Sequence, residues 1–139
     1  MSKLIVNIKK NEGYISTVYK DSLGIDTIGY GFAIKDLNLE EDICDLILER
    51  KVAKLVFEVE KRFPWYCDMP IIIKDVVIEM CYQMGVNGFS KFKKTIKHLS
   101  NRDFAEASVE MLDSKWAIQT PGRAKQLSER VREVGEATE

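Results

Sequence analysis

The chain has 139 residues, of which 45% are hydrophobic and 31% are charged, and its formal net charge is -1. These values are typical of a folded globular chain that is long enough to bury a hydrophobic core. The longest apolar run, Met69 to Ile73, is far shorter than the roughly 20 residues of a membrane-spanning helix, and residues 1–7 lack the apolar segment of a signal peptide. We therefore expect neither a membrane span nor a signal peptide.

The cysteines and the histidine are few and widely separated: Cys44, Cys67, Cys81 and His98. An odd number of cysteines at these spacings argues against a disulfide framework. One histidine and the absence of a Cys-x-x-Cys pair argue against a zinc site and against Ser-His or Cys-His catalysis. We expect buried, inert thiols, a histidine at the surface or at a helix end, and no metal or organic cofactor.

The amino-terminal part predicts a short helix followed by a small sheet. Leu4, Ile5 and Ile8 form a helical apolar stripe over residues 3–11. Glycines 24, 29 and 31 then separate three extended segments, which predict a three-stranded sheet between residues 16 and 34. Gly29 and Gly31 would let a ligand approach the backbone closely, and the competing explanation for one of them is a hairpin tip that requires positive backbone torsions.

A long helix is predicted next. Asn38 followed by Glu41 resembles a capping box, and apolar residues recur with helical periodicity from Ile43 to Phe63. Pro64 ends the pattern. A helix of this length would extend roughly 36 Å, which is enough to bridge two lobes.

The carboxy-terminal part reads as entirely helical. Apolar residues from Ile72 to Met84 predict a central buried helix that ends at Gly85, and further helices are predicted at about 91–99, 102–112 and 121–134. Thr120 before Pro121 is a suitable N-cap for the last helix. We expect Trp116 to be a packing anchor, because buried aromatic side chains supply core area.

Two acidic residues and a threonine are the candidate catalytic groups. Glu12 and Asp21 lie nine residues apart, and Thr27 follows six residues later. Cleavage of a glycosidic bond usually requires a carboxylic acid that protonates the leaving oxygen and a carboxylate that assists attack. Asp21 with Gly24 also fits the start of a type I turn, so the spacing alone leaves a structural role for Asp21 open.

The residues around these acids carry a resemblance to a known family. Glu12-Gly13, Asp21 and the Thr27-Ile28-Gly29-x-Gly31 segment resemble the active-site region of the phage-type lysozymes, glycoside hydrolase family 24. A second block in the same order resembles the carboxy-terminal lobe of that family: Gln83-Met84-Gly85, Trp116, Gln119-Thr120-Pro121 and Arg123-Ala124.

The resemblance implies a mainly helical α+β fold in a single lysozyme-like domain. A small three-stranded antiparallel sheet lobe, about residues 12–38, would be joined by a connecting helix, about residues 39–63, to a larger all-helical lobe. That lobe would comprise about residues 64–139 together with helix 3–11, and an active-site cleft would lie between the two lobes.

The resemblance also implies an activity. The chain would be a muramidase that hydrolyses the β-1,4 bond between N-acetylmuramic acid and N-acetylglucosamine of peptidoglycan, with inversion at the anomeric carbon. Glu12 would be the general acid, Asp21 the base and Thr27 the residue that positions the attacking water. Arg123 would lie beside Glu12, and the sugar contacts map onto Gly31, Ala33, Tyr82, Gln83 and Thr95. Tyr82 equally fits a core position at a helix end.

The implied partner is a peptidoglycan glycan strand, bound by a monomer without stable membrane association. A holin would release the protein from the host cytoplasm, so that it acts on the cell wall in the periplasm and lyses the host. A lytic transglycosylase and a non-catalytic wall-binding or phage structural protein are the alternatives. Residues 91–132 contain ten Lys or Arg against five acids, but no recognition motif stands out, so we expect no nucleic-acid partner.

Overall fold

The computed structural model describes residues 2–137. Its contacts divide the chain into two compact units, with the division between Asp45 and Leu46. The predicted class is confirmed, because the fold is mainly helical and contains one small antiparallel sheet. Among the described residues, no helix is both long and apolar enough to cross a membrane.

The first unit contains one helix and the sheet. Helix α1 (Lys3–Glu12) is followed by the strands β1 (Ile15–Lys20), β2 (Asp26–Gly29) and β3 (Phe32–Ala33), and then by a 3-10 turn at Ile34–Asp36. The strands pair in the order β1-β2-β3, and both pairs are antiparallel. The predicted three-stranded sheet is therefore confirmed.

Helix α2 (Glu41–Arg62) has 22 residues and contains the division between the units. At 1.5 Å per residue it is about 33 Å long. Its first helical hydrogen bond runs from Cys44 N–H to the Glu40 carbonyl at 3.0 Å. The predicted capping box at Asn38 is wrong, because Glu40 occupies the position before the helix. Glu41 and Asp42 in the first turn suit the positive end of the helix dipole.

The second unit is helical throughout. A 3-10 segment at Pro64–Asp68 leads into α3 (Ile71–Ser90), α4 (Lys93–Ser100), α5 (Phe104–Leu112), α6 (Lys115–Gln119) and α7 (Pro121–Ala137). Gly85 breaks α3 with φ 81° and ψ 159°, so the predicted helix stop is confirmed as a kink after which helical structure resumes. The sequence did not predict α6, because five residues are too few to show helical periodicity.

The core of the second unit lies where α3, α5 and α7 pack together with the end of α2. Its fully buried side chains include Val59, Ile73, Met80, Phe89, Leu99, Met111, Leu127 and Val131. Trp116 is buried against Phe92, with ring centroids 5.9 Å apart in an edge-to-face arrangement, which confirms its predicted packing role.

Helix α7 starts where the sequence predicts, but the Thr120 side chain does not make the predicted N-cap hydrogen bond to it. The helix begins at Pro121, as expected. The Thr120 hydroxyl donates a hydrogen bond backward to the Trp116 carbonyl at 3.0 Å. Thr120 therefore ties α7 to the preceding helix α6.

The prediction of buried thiols is correct for only one cysteine. Cys44 and Cys67 are exposed, whereas Cys81 is buried in α3. Cys44 and Cys67 lie in the first turn of α2 and in the 3-10 segment, where few side chains cover them. His98 lies in the last turn of α4 and is partly exposed, as predicted.

We expect the three thiols to differ in reactivity. Burial raises the pKa of Cys81 to about 12, so the native thiolate fraction at pH 8 is about one part in 10⁴. A thiol-disulfide reagent at pH 8 should modify Cys44 and Cys67 rapidly, and Cys81 only after denaturant is added. Rapid modification of all three thiols in the native protein would contradict this prediction.

The same burial makes stability depend on alkaline pH. The unfolded thiol ionises near its ordinary value of 9.0, whereas the folded thiol keeps its proton to about pH 12. The buried neutral thiol therefore makes its full contribution to the free energy of unfolding below pH 9, and this contribution is lost as the pH rises toward 12. Cys81→Ala should therefore show a shallower alkaline decline in the free energy of unfolding than the wild type.

Candidate functional site

Glu12 is the last residue of α1, and the chain ends the helix immediately after it. Gly13 adopts φ 71°, and its N–H donates to the Lys9 carbonyl at 3.0 Å. A residue with a side chain would be strained in this left-handed conformation. The glycine therefore fixes Glu12 at the exposed carboxyl end of the helix.

The loop between β2 and β3 approaches the Glu12 carboxylate. A Cβ added to Gly31 would lie only 2.7 Å from Glu12 Oε2. Gly29 and Gly31 both have positive φ, at 71° and 75°. The hairpin-tip explanation therefore applies to both glycines, and Gly31 also provides a close approach, although the group that approaches is a side chain of this protein.

Aromatic contacts hold the end of α1 against this loop. The rings of Tyr14 and Tyr30 lie 5.3 Å apart between centroids, and Tyr30 and Phe32 lie 6.2 Å apart. Lys9 Nζ lies 5.0 Å from the centroid of the Tyr30 ring. Tyr30 thus contacts residues on both sides of Glu12 in the sequence. The sequence analysis missed this role of Tyr30, for which the Gly-Tyr-Gly-Phe run was the available signal.

Asp21 begins the turn that joins β1 to β2. Gly24 N–H donates to the Asp21 carbonyl at 3.0 Å, and Asp21 Oδ1 accepts from the N–H groups of Leu23 at 2.8 Å and Ile25 at 2.9 Å. The turn interpretation is confirmed. It is compatible with a catalytic role, because no hydrogen bond within residues 2–137 engages Asp21 Oδ2.

Thr27 lies in the centre of the sheet, paired with Tyr19 on one side and Ala33 on the other. Its side chain is only 4% exposed, and its hydroxyl donates to the Ile25 carbonyl at 2.8 Å. The same carbonyl accepts from Asp21 N–H at 3.0 Å. The peptide groups of Ile25 therefore connect Asp21 to Thr27.

These contacts define what the first unit offers chemically. It presents an exposed carboxyl group at Glu12, a half-buried carboxylate at Asp21 with one free oxygen, and a hydroxyl at Thr27 whose proton is already donated. A carboxyl that can give a proton and a carboxylate that can accept one are the groups that acid-base cleavage requires.

The predicted sugar contacts in the second unit have different surroundings. Tyr82 on α3 is 54% exposed, so its alternative assignment to the core is wrong. Gln83 Oε1 accepts a hydrogen bond from Trp116 Nε1 at 2.9 Å. Thr95 in α4 is only 2% exposed. Arg123 is exposed in the first turn of α7, and its pairing with Glu12 stays a prediction.

Thr95 borders a cavity of 440 Å³ in the second unit. Charged residues at the ends of four helices, α3 to α6, surround it: Lys91, Lys93, Lys94, Glu110, Asp113 and Lys115. In the part of the chain that the structure describes, no three His, Cys, Asp or Glu side chains converge as metal ligands would.

Comparison with known proteins identifies related chains. The model of the family described as phage lysozyme matches residues 9–133. "Probable T4-type lysozyme 1" of Dictyostelium discoideum is 29% identical over 150 aligned residues, which cover 86% of this chain and 88% of the relative. "Probable T4-type lysozyme 2" of the same organism is 29% identical over 156 aligned residues, covering 91% and 92%.

We expect Gly31→Ala to displace the Glu12 carboxylate, because the new Cβ would lie 2.7 Å from Oε2. Gly24→Ala is the matched control, since Gly24 has φ 77° and no heavy atom within 4 Å of the added Cβ. Both variants should lose about 1 to 2 kcal/mol of stability from the left-handed backbone. Only Gly31→Ala should shift the ¹³C resonance of the Glu12 carboxyl. Equal shifts in both variants would contradict the contact.

Proposed function

The chain belongs to the phage lysozyme family and is a glycosidase of the lysozyme type, and from this premise we propose the reaction and the residues that perform it. The substrate is bacterial peptidoglycan, and the bond that is hydrolysed is the β-1,4 linkage between N-acetylmuramic acid and N-acetylglucosamine. Glu12, Asp21 and Thr27 carry out the reaction. The observation that carries the proposal is the set of hydrogen bonds to the Ile25 backbone, which engages Asp21 Oδ1 and the proton of the Thr27 hydroxyl and leaves Asp21 Oδ2 and the Thr27 oxygen to other partners.

Glu12 acts as the general acid. Its proton passes to the glycosidic oxygen while the bond from that oxygen to the anomeric carbon breaks, so the leaving sugar departs as an alcohol. The exposed position of Glu12 at the end of α1 and the missing side chain at Gly31 support this role, because a polymer must reach the carboxyl group.

Asp21 acts as the base toward a water molecule. The Thr27 hydroxyl donates its proton to Ile25, so its oxygen is free only to accept. A water that donates one proton to Thr27 and the other to Asp21 Oδ2 directs its lone pair outward. As the water oxygen bonds to the anomeric carbon, Asp21 takes the proton. Attack from the face opposite the leaving group inverts the anomeric configuration.

We propose that the hydrogen bonds already made within the protein also determine which groups contact the sugar. The Gln83 carbonyl oxygen is occupied by Trp116, so its amide NH₂ is free to donate to the carbonyl of an N-acetyl group. The exposed ring of Tyr82 offers an apolar face for a pyranose. Gly31 and Ala33 supply backbone around the β2-β3 loop, and Thr95 supplies a hydroxyl. Host lysis and release from the cytoplasm stay predictions.

The first test compares the wild type with Glu12→Gln on chloroform-permeabilised Gram-negative cells. The wild type should clear the suspension and release muropeptides with reducing N-acetylmuramic acid ends, as identified by mass spectrometry. Loss of the general acid should slow turnover by about 10² to 10⁴-fold. If the wild type neither clears cells nor releases fragments, the proposed activity is wrong, and a non-catalytic role at the wall becomes the better explanation.

The second test separates hydrolysis from the transglycosylase reaction. Asp21→Asn removes the base, so hydrolysis should fall by at least about 10²-fold. Asp26→Asn is the control, because Asp26 is an exposed residue of the same sheet that pairs with Lys20 at 2.7 Å, and it should retain activity within a factor of about two. Continued cleavage by Asp21→Asn with 1,6-anhydro ends would instead support a transglycosylase.

A further inference from the structure

Lys9 and Glu12 lie three positions apart on α1, so their side chains project from the same face of the helix. An ammonium group beside a carboxyl group stabilises the carboxylate, whereas a general acid has to carry its proton when the substrate arrives. We propose that the Tyr30 ring holds the Lys9 ammonium away from Glu12 and so keeps Glu12 able to donate a proton. Tyr30 is then a positioning residue. This inference rests on the proposed function, because it concerns the proposed acid.

The loop between β2 and β3 receives the two side chains at neighbouring residues. Lys9 Nζ lies 5.0 Å from the centroid of the Tyr30 ring. Glu12 Oε2 lies beside Gly31, 2.7 Å from the position that an added Cβ would take. Among residues 2–137, no ion pair within 4.0 Å joins Lys9 to Glu12. The loop therefore separates a cation and a carboxyl group that the helix places on one face.

The burial of Lys9 is a second sign that the Tyr30 ring holds it. Within α1 only Lys9 is partly buried, whereas the other residues of the helix are exposed. A lysine at a surface usually keeps its ammonium group in water, but the negative face of an aromatic ring attracts a cation that lies within about 6 Å of its centroid. Tyr14 packs against the same ring at 5.3 Å between centroids. The ring is therefore a fixed site for the ammonium group.

The other charged groups that concern Glu12 do not replace Lys9 in this role. Lys10 lies two positions before Glu12, and side chains at this spacing do not face each other on a helix. Residues 29–32, which form the opposing loop, contain no charged side chain. Asp21 and Arg123, which the proposed and predicted roles bring to the same site, are unchanged in every variant compared below. Their effect on Glu12 therefore cancels in the comparison.

The test follows the titration of the Glu12 carboxyl group by ¹³C NMR, in about 0.15 M salt so that distant charges are screened. Tyr30→Leu should release the Lys9 ammonium to Glu12. The pH at which the carboxyl group loses its proton should then fall by about 0.3 unit, since ion pairs at this helical spacing are modest. Tyr30→Phe keeps an aromatic face for the cation, so its titration should stay within about 0.1 unit of the wild type. An unchanged titration in Tyr30→Leu would overturn the proposal.

Removal of the cation distinguishes release of Lys9 from a displacement of Glu12 that the smaller side chain causes. Lys9→Met in the Tyr30→Leu background should restore the wild-type titration, because no ammonium group then remains to pair with Glu12. A displaced carboxyl group would not be restored. Lys10→Met in the same background is the matched control, since it removes an equal charge from the same helical turn, and it should leave the shift in place. Failure of Lys9→Met to restore the titration, or equal restoration by Lys10→Met, would overturn the proposal.

The pH dependence of kcat/KM on peptidoglycan connects the restraint on Lys9 with the reaction. Its alkaline limb reports loss of the proton from the general acid, so it should move to lower pH in Tyr30→Leu and return in Tyr30→Leu/Lys9→Met. A limb that stays in place while the Glu12 titration shifts would overturn the role of Tyr30 in the reaction. The NMR titrations need no turnover, so a reversible shift with an inactive wild type would leave the restraint standing while the proposed reaction fails.

Discussion

The backbone of Ile25 is the constraint on which the first unit depends. Its N–H donates to Asp21 Oδ1, and its carbonyl accepts both the Asp21 N–H and the Thr27 hydroxyl. These three bonds close the turn between β1 and β2 and fix two side chains at once. The backbone of Ile25 thereby determines which Asp21 oxygen and which Thr27 lone pairs remain available for further hydrogen bonds.

Glu12 is positioned by the space that two glycines leave around it and not by hydrogen bonds. Gly13 ends α1, and Gly31 leaves room for the carboxylate in the opposing loop. Tyr14 and Lys9 contact Tyr30 from the two sides of Glu12. Such lateral support matters for the role that we propose for Glu12, since no hydrogen bond within the described residues holds its carboxylate. The contacts of Tyr14 and Lys9 with Tyr30 therefore fix the end of α1 that carries the proposed acid.

The sequence predicted those features that one residue type or a local period determines. Glycines with positive φ, Pro121 at a helix start and the apolar period of α2 and α3 all gave correct elements. Features that depend on distant neighbours were missed or wrong. The hydrogen bond from Trp116 to Gln83 joins residues 33 positions apart, and the exposure of Cys44 and Cys67 depends on which helix faces are covered. Local patterns do not contain that information.

Two polar groups, Thr27 in the first unit and Gln83 in the second, differ in which hydrogen-bonding capacity the fold has already used. The Thr27 hydroxyl has donated its proton to the Ile25 carbonyl, whereas Gln83 Oε1 has accepted a hydrogen bond from Trp116 Nε1. The Thr27 oxygen can therefore only accept, as the proposed water contact requires, whereas the Gln83 amide keeps its NH₂ group to donate, as the proposed N-acetyl contact requires. The roles proposed for these two residues thus follow from the hydrogen-bonding capacity that the fold leaves unused.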